Sequence, residues 1–129
     1  MDFLLRPRVG GFEPNVDVFV DEDRGIILVS MELAGVEAAS LQVGLRDRCL
    51  IVAGRRRDQA PASLGSFTQK EIAYGDFVRE VALPSEVLAD EAEAAYDNGM
   101  LLARLPIAPV AYAPTARAHI HLIVKRIHV

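Results

Sequence analysis

Three histidines, His119, His121 and His128, are the residues best suited to acid–base or metal chemistry, and all lie in the last eleven positions of the chain. On a strand, a spacing of two sends His119 and His121 the same way, as two ligands of one metal would require. A structural zinc site takes about four ligands and a catalytic one about three. No Cys, Asp or Glu stands near them in the tail, so they read as solvent-facing and no metal site is expected. Asp90, Glu91, Glu93 and Asp97 hold enough carboxylate for a general acid and base, but they fall in a polar connection and at a turn. Cys49 follows Arg46 and Arg48 within an apolar run. An activated thiolate wants a defined base or a helix terminus, so a structural thiol is the better reading. The chain has no GxxxxGK[ST], GxGxxG or GxSxG. The pattern therefore predicts neither an enzyme nor a cofactor.

The bulk properties set the frame for those residues. The chain has 129 residues, 51% of them apolar, which suits one domain with arms. A net charge of −4 and a pI near 5.3 supply no general positive field, so nucleic acid is not an expected partner. The basic triplet Arg55-Arg56-Arg57 reads as a solvated strand end or loop. No run approaches the roughly 18 to 20 apolar residues of a membrane helix, and the opening Met1–Gly11 has only Phe3-Leu4-Leu5 as an apolar patch. Neither a membrane partner nor a secretory signal is expected. A lone cysteine fits a reducing compartment, and the cytoplasm is the expected location.

The elements that position these residues are strands. Val16, Val18 and Val20 alternate with Asp17 and Phe19 up to a turn at Asp21–Gly25, and Ile26–Leu33 continues the alternation as far as Ala34-Gly35. Leu41, Val43 and Leu45 lead through Asp47-Arg48 into Cys49–Gly54, a hairpin. The long connection 55–65 precedes a short strand-like piece, Phe67–Ala73, and a strand, Phe77–Leu83. Glu86–Glu93 carries a weak helical signal with Ser85 as its cap. Ala94–Asp97 and Met100–Leu105 flank Asn98-Gly99, the strongest turn signal in the chain. Ile107–Arg117 is an Ala/Pro-rich linker, and Ala118–Val129 is β-prone again. Eight or so short strands without useful helices predict an all-β, antiparallel sandwich or barrel, not a βαβ fold.

The apolar tail leaves two readings open on physical grounds. It is an arm that docks on an exposed sheet edge or groove, here or on another subunit, or an extra strand of its own sheet.

The segment Ala94-Ala95-Tyr96-Asp97-Asn98-Gly99-Met100-Leu101, with Ala103, Leu105 and Pro106 after it, resembles the A-x-x-x-n-G-v-L signature of the α-crystallin domain of small heat-shock proteins. Pro14-x-Val16-Asp17-Val18 resembles that domain's entry, and Glu32-Leu33-Ala34-Gly35-Val36 its E-L-P-G-v. Leu50–Arg55 resembles L-x-I-x-G-x-R/K, Tyr74–Pro84 resembles Y-G-x-F-x-R-x-[FV]-x-L-P, and Ile127-His128-Val129 fits a terminal I-x-[IV]. The resemblance spans about Pro14 to Pro106 plus the tail. It implies an all-β, antiparallel immunoglobulin-like β-sandwich, with an N-terminal arm over 1–13, an α-crystallin domain over 14–106 and a C-terminal extension over 107–129.

The resemblance further implies an ATP-independent holdase that binds unfolded or partly folded clients, as a homodimer and then a higher homo-oligomer. In bacterial and plant members the long connection carries a strand that swaps onto the partner subunit. Here that strand would be Phe67, Thr68, Gln69, Lys70, Glu71, Ile72 and Ala73, pairing near the partner's Val16–Val20. The signature turn is Asn98 and Gly99, followed by Leu101. The tail pair Ile127 and Val129 would dock in a groove whose candidate walls are Leu41, Val43, Leu45, Ala94 and Tyr96, with Ile120 and Leu122 as a second I-x-L spacing. Ala34 stands where the family usually has Pro, and the first arm is short for a large assembly. The rival readings are a CS-domain co-chaperone with one folded partner, against which Asn98-Gly99 and the terminal I-x-V argue, and a metal enzyme built on the tail histidines.

Overall fold

Apolar residues at every second position make ribbons with one dry face, and two such ribbons must meet to bury it. The computed structural model describes residues 12–58, 65–110, 117–120 and 122–124. Its strands are β1 (Val16–Asp21), β2 (Ile26–Glu32), β3 (Gln42–Arg46), β4 (Cys49–Arg56), β5 (Gly75–Ala82), β6 (Glu93–Asp97), β7 (Met100–Pro106), β8 (Arg117–His119) and β9 (Leu122–Val124). One sheet runs β1-β2-β7-β6-β9 and the other β5-β4-β3-β8. Every ladder is antiparallel except that of β9, which lies parallel to β6. The chain thus forms the antiparallel β-sandwich that the alternation predicts.

The core is the facing set of alternate residues. Ile27, Val29 and Met31 of β2 and Leu101, Ala103 and Leu105 of β7 are fully buried, opposite Leu50 and Val52 of β4. Each such side chain contributes on the order of 1.5–3 kcal/mol through burial, and no charged side chain is buried among the described residues.

The tight turns lie where the sequence places them. Asn98 and Gly99 have φ of 55° and 74°, so the β6–β7 hairpin turns with two left-handed residues, as its Asn-Gly composition demands. Asp47 takes the same region at φ 55° between β3 and β4. Gly99 has a second constraint. A Cβ added there would lie 2.9 Å from Ala34 Cα, while the Gly99 carbonyl accepts a 2.7 Å hydrogen bond from the Leu33 N–H.

One local expectation changes. The helical turn is a single 3-10 turn at Ala89–Glu91 preceded by Leu88, and Ser85 does not cap it. The turn starts three residues later than a Ser85 cap requires, and among the described residues Ser85 Oγ is buried without a hydrogen-bond partner. Phe67–Ala73 forms no strand within the chain. It is an exposed segment with no ladder partner, and an extended ribbon becomes a strand only when it finds one.

Gly99→Ala should lower stability by roughly 1–3 kcal/mol, because the added methyl meets both the Ala34 backbone and an unfavourable φ. Asn98→Gly should change it little. Urea unfolding of both variants against the parent measures the difference.

Candidate functional site: a filled cleft and an open flank

Two open sheets leave four edges, and these edges define two flanks. On one flank the free edges of the folded hairpins are β3 and β6. On the other they are β1 and β5.

The β3/β6 flank is filled by the chain's own tail. β8 pairs Ala118 with Leu45 and His119 with Gly44, and β9 pairs Leu122 with Ala94 and Val124 with Tyr96. Between the two short ladders Ile120 is only 5% exposed, and its N–H donates to the Val43 carbonyl at 2.9 Å. Ile120 belongs to the same buried cluster as Leu41, Val43, Leu45, Ala94 and Tyr96. Val43 and Leu45 of β3, Ala94 and Tyr96 of β6, and Leu41 just before β3 are therefore inward-facing residues beside this seam. Ile127 and Val129 lie outside the described residues, as do His121 and His128. His119 sits on the exposed outer side of β8, where a shallow depression of about 370 Å³ lies over Gly44 and Ile51. Among the described residues no group of three or more His, Cys, Asp or Glu could hold a metal.

Tyr96 joins this seam to the signature turn. Its hydroxyl donates to the Leu33 carbonyl at 2.5 Å, with the Val36 carbonyl at 3.4 Å. Burial pushes the phenol's pKa up from its ordinary value near 10, only partly countered by the hydrogen bond to Val36. Cys49 is half-buried, and burial followed by the Glu80 carboxylate raises its thiol pKa, the opposite of an activated nucleophile.

The β1/β5 flank is open. Val18, Phe19 and Val20 of β1 are all exposed, Phe19 by 60%, and β1 ends its sheet. Phe67 and Ile72 of the connecting segment are 57% and 60% exposed. Arg56 holds the root of that segment, which the sequence did not reveal. Its Nε and Nη2 donate to the Ala73 carbonyl at 2.9 and 2.5 Å and its Nη1 to the Ala34 carbonyl at 3.2 Å. Its guanidinium stacks 3.6 Å from the centre of the Phe12 ring. Its neighbours match the solvated reading better: Arg55 pairs with Asp76 at 2.7 Å and Arg57 with Glu37 at 2.9 Å, both at the surface. Alternation along β4 distinguishes none of these three arginines, because the partners of Arg56 come from distant segments.

The Hsp20/alpha crystallin family model matches residues 19–121. The chain belongs to the Hsp20/alpha crystallin family. Its match to the probable 15 kDa heat shock protein of Leptospira interrogans is 32% identical over 101 residues, covering 78% of this chain and 75% of that protein. Heat shock protein 16.0 of Schizosaccharomyces pombe superposes with a TM-score of 0.68 at 25% identity, covering 81% of this chain and 94% of that one. HspA of Xanthomonas axonopodis gives 0.66 at 30% identity, covering 76% and 96%. An Hsp20 family member with this sandwich fits a chaperone role. The matched region includes Ile120 and stops short of Ile127 and Val129. No helix among the described residues is long and apolar enough to cross a membrane.

Tyr96→Phe removes the hydroxyl that satisfies Leu33 and should cost about 1 kcal/mol. The raised phenol pKa means that the folded state holds its proton more tightly than the unfolded state. That contribution is complete below the unfolded value near 10 and is lost as pH rises through the folded one. Stability of the parent should therefore fall more steeply above pH 10 than that of Tyr96→Phe, as denaturant midpoints across that range will show.

Proposed function

We propose that the chain is an ATP-independent holdase that works as a strand-swapped homodimer and binds partly unfolded proteins. The observation that carries this reading is the open flank. Among the described residues an apolar edge, β1, is left unpaired and exposed in the same chain that carries an unpaired, largely exposed segment, Phe67–Ala73. An exposed edge with Val18, Phe19 and Val20 on it invites strand addition, and a soluble protein normally covers or charges such an edge. Pairing of Phe67–Ala73 with β1 of a second copy would satisfy both elements at once.

Arg79 gives further support. It reaches the Pro14 carbonyl through Nη1 at 3.1 Å, yet its Nε is buried without an acceptor. A buried guanidinium N–H without a partner is costly, and a second copy seated on this flank is the kind of surface that supplies one.

The domain limits implied by the signature motifs, with arms over 1–13 and 107–129, remain part of this reading. Ile127 and Val129 are assigned to contacts between dimers that build a higher homo-oligomer. Holdase action needs apolar surface offered reversibly, and it calls for neither catalytic residue nor cofactor. The lone Cys49 suits the reducing cytoplasm, the proposed location.

A client-aggregation assay without nucleotide tests the activity, with particle mass measured alongside. Suppression across several unrelated clients is expected, and failure with all of them sinks the holdase reading. Ile72→Glu should convert dimer to monomer while the sandwich unfolds near the parent midpoint. A dimer of unchanged mass in that variant would count against the swapped strand.

A further inference from the structure

Five side chains on the open flank alternate between aromatic ring and cation. The Arg56 guanidinium lies 3.6 Å from the centre of the Phe12 ring and 5.7 Å from that of Tyr74. Lys70 Nζ in turn lies 4.8 Å from the centre of the Tyr74 ring and 4.4 Å from that of Phe67. The stack Phe12, Arg56, Tyr74, Lys70, Phe67 thus runs from the entry of the domain, across the end of β4, to the connecting segment. Lys70 also pairs at 3.1 Å with the carboxylate of Asp58, just past the end of β4.

The contacts of Lys70 do not fit an extended strand. On a strand, residues three apart point to opposite faces, with their Cα atoms about 10 Å apart. Lys70 and Phe67 are three apart, yet the ammonium sits on the ring, and the chain bends between them at Thr68. Arg56 is held differently. Its hydrogen bonds go to the Ala73 carbonyl, at the far end of the segment, and to the Ala34 carbonyl. Straightening residues 67–73 would leave those bonds in place while taking Lys70 off Phe67. The stack has a fixed end at Arg56 and a releasable end at Lys70.

We infer that Lys70 is a latch, which holds the connecting segment bent on its own chain and so opposes its exchange onto a second copy. The latch rests on the strand-swapped reading of this flank and supplies that exchange with a brake. Contacts made only in the single chain are lost on exchange, and they lower the apparent affinity by the fraction of molecules that are open. Exposed cation–π contacts and surface ion pairs each shift an equilibrium by only a few-fold. Every dimer opens two latches, so a factor of about three per chain becomes about ten in the dimer dissociation constant. A lysine that merely contributed to the dimer interface would act with the opposite sign, because its loss would weaken the dimer.

Lys70→Gln keeps much of the side chain's length and removes its charge. Followed by mass measurement on dilution, its dimer should have a dissociation constant about tenfold lower than the parent's. Lys70→Arg keeps a cation and should match the parent. A Lys70→Gln dimer as weak as the parent's, or weaker, overturns the latch. A second measurement needs no partner. The chain has no tryptophan, so Phe67→Trp places a single indole beside Lys70. Below the dimer dissociation constant, time-resolved anisotropy should show that indole held to the domain, and adding Lys70→Gln should increase its fast local motion several-fold. Equal mobility with and without Lys70 overturns the latch. Should Ile72→Glu remain a dimer, the swapped strand falls instead, and the anisotropy alone decides whether Lys70 holds the segment.

Discussion

An unpaired strand edge is the constraint on which this molecule turns. A row of backbone N–H and C=O groups facing sideways must find water, a covering segment or another strand. Two sheets that do not close into a barrel leave four such rows. Here the rows are treated in two opposite ways, and that difference, more than any single residue, separates what is stable in the chain from what is available to others. The β3 and β6 edges are covered by the chain's own tail, while among the described residues the β1 edge stands bare beside apolar side chains. The interior gives no comparable asymmetry: Ile27, Met31, Leu50, Leu101 and Leu105 are equally buried regardless of flank.

The signature turn belongs to a clamp that holds the chain between β2 and β3. Three separate elements converge on Leu33 and Ala34: the Gly99 carbonyl takes the Leu33 N–H, the Tyr96 hydroxyl meets the Leu33 carbonyl, and Arg56 reaches the Ala34 carbonyl. Each tie satisfies a polar backbone group that would otherwise be buried or strained at the end of a strand. Gly99 has no side chain because Ala34 occupies the space a side chain would need. Fixing this connection also fixes where β3 begins, and so where the seam that receives Ile120 lies. Arg56 extends the same clamp to Ala73 and Phe12, so the root of the exposed segment is rigid although its middle, Phe67–Ile72, has no ladder.

Hairpins and inward faces were legible in the sequence because both are local. Asn98-Gly99 and Asp47-Arg48 dictate turn geometry within four residues, and alternation assigns faces within one strand. What alternation cannot tell is whether anything lies over the face it defines. Val18 and Val20 have the same spacing as Val29 and Met31, yet they stay exposed because they lie at the end of the sandwich, on its last strand. The groove candidates illustrate the converse. Leu41, Val43, Leu45, Ala94 and Tyr96 were legible as neighbours of a cleft, but only the fold shows that they belong to the core and that Ile120 joins them there. Arg56 was illegible for the same reason. Its partners at positions 12, 34 and 73 are close only after β2, β4 and β5 have assembled.

The lengths of the two tail strands bear on how the covered flank can behave. A long added strand would be permanent, since each further ladder pair and buried side chain adds to the cost of lifting it. Three pairs on each side, with Ile120 buried between them, make a small cover beside the longer ladders of the hairpins. The sequence around the crossing fits that role. His119 and His121 bracket Ile120, so the segment is not a continuous apolar run. One flank therefore carries the chain's own tail as its cover, while on the other, among the described residues, β1 keeps Val18, Phe19 and Val20 exposed.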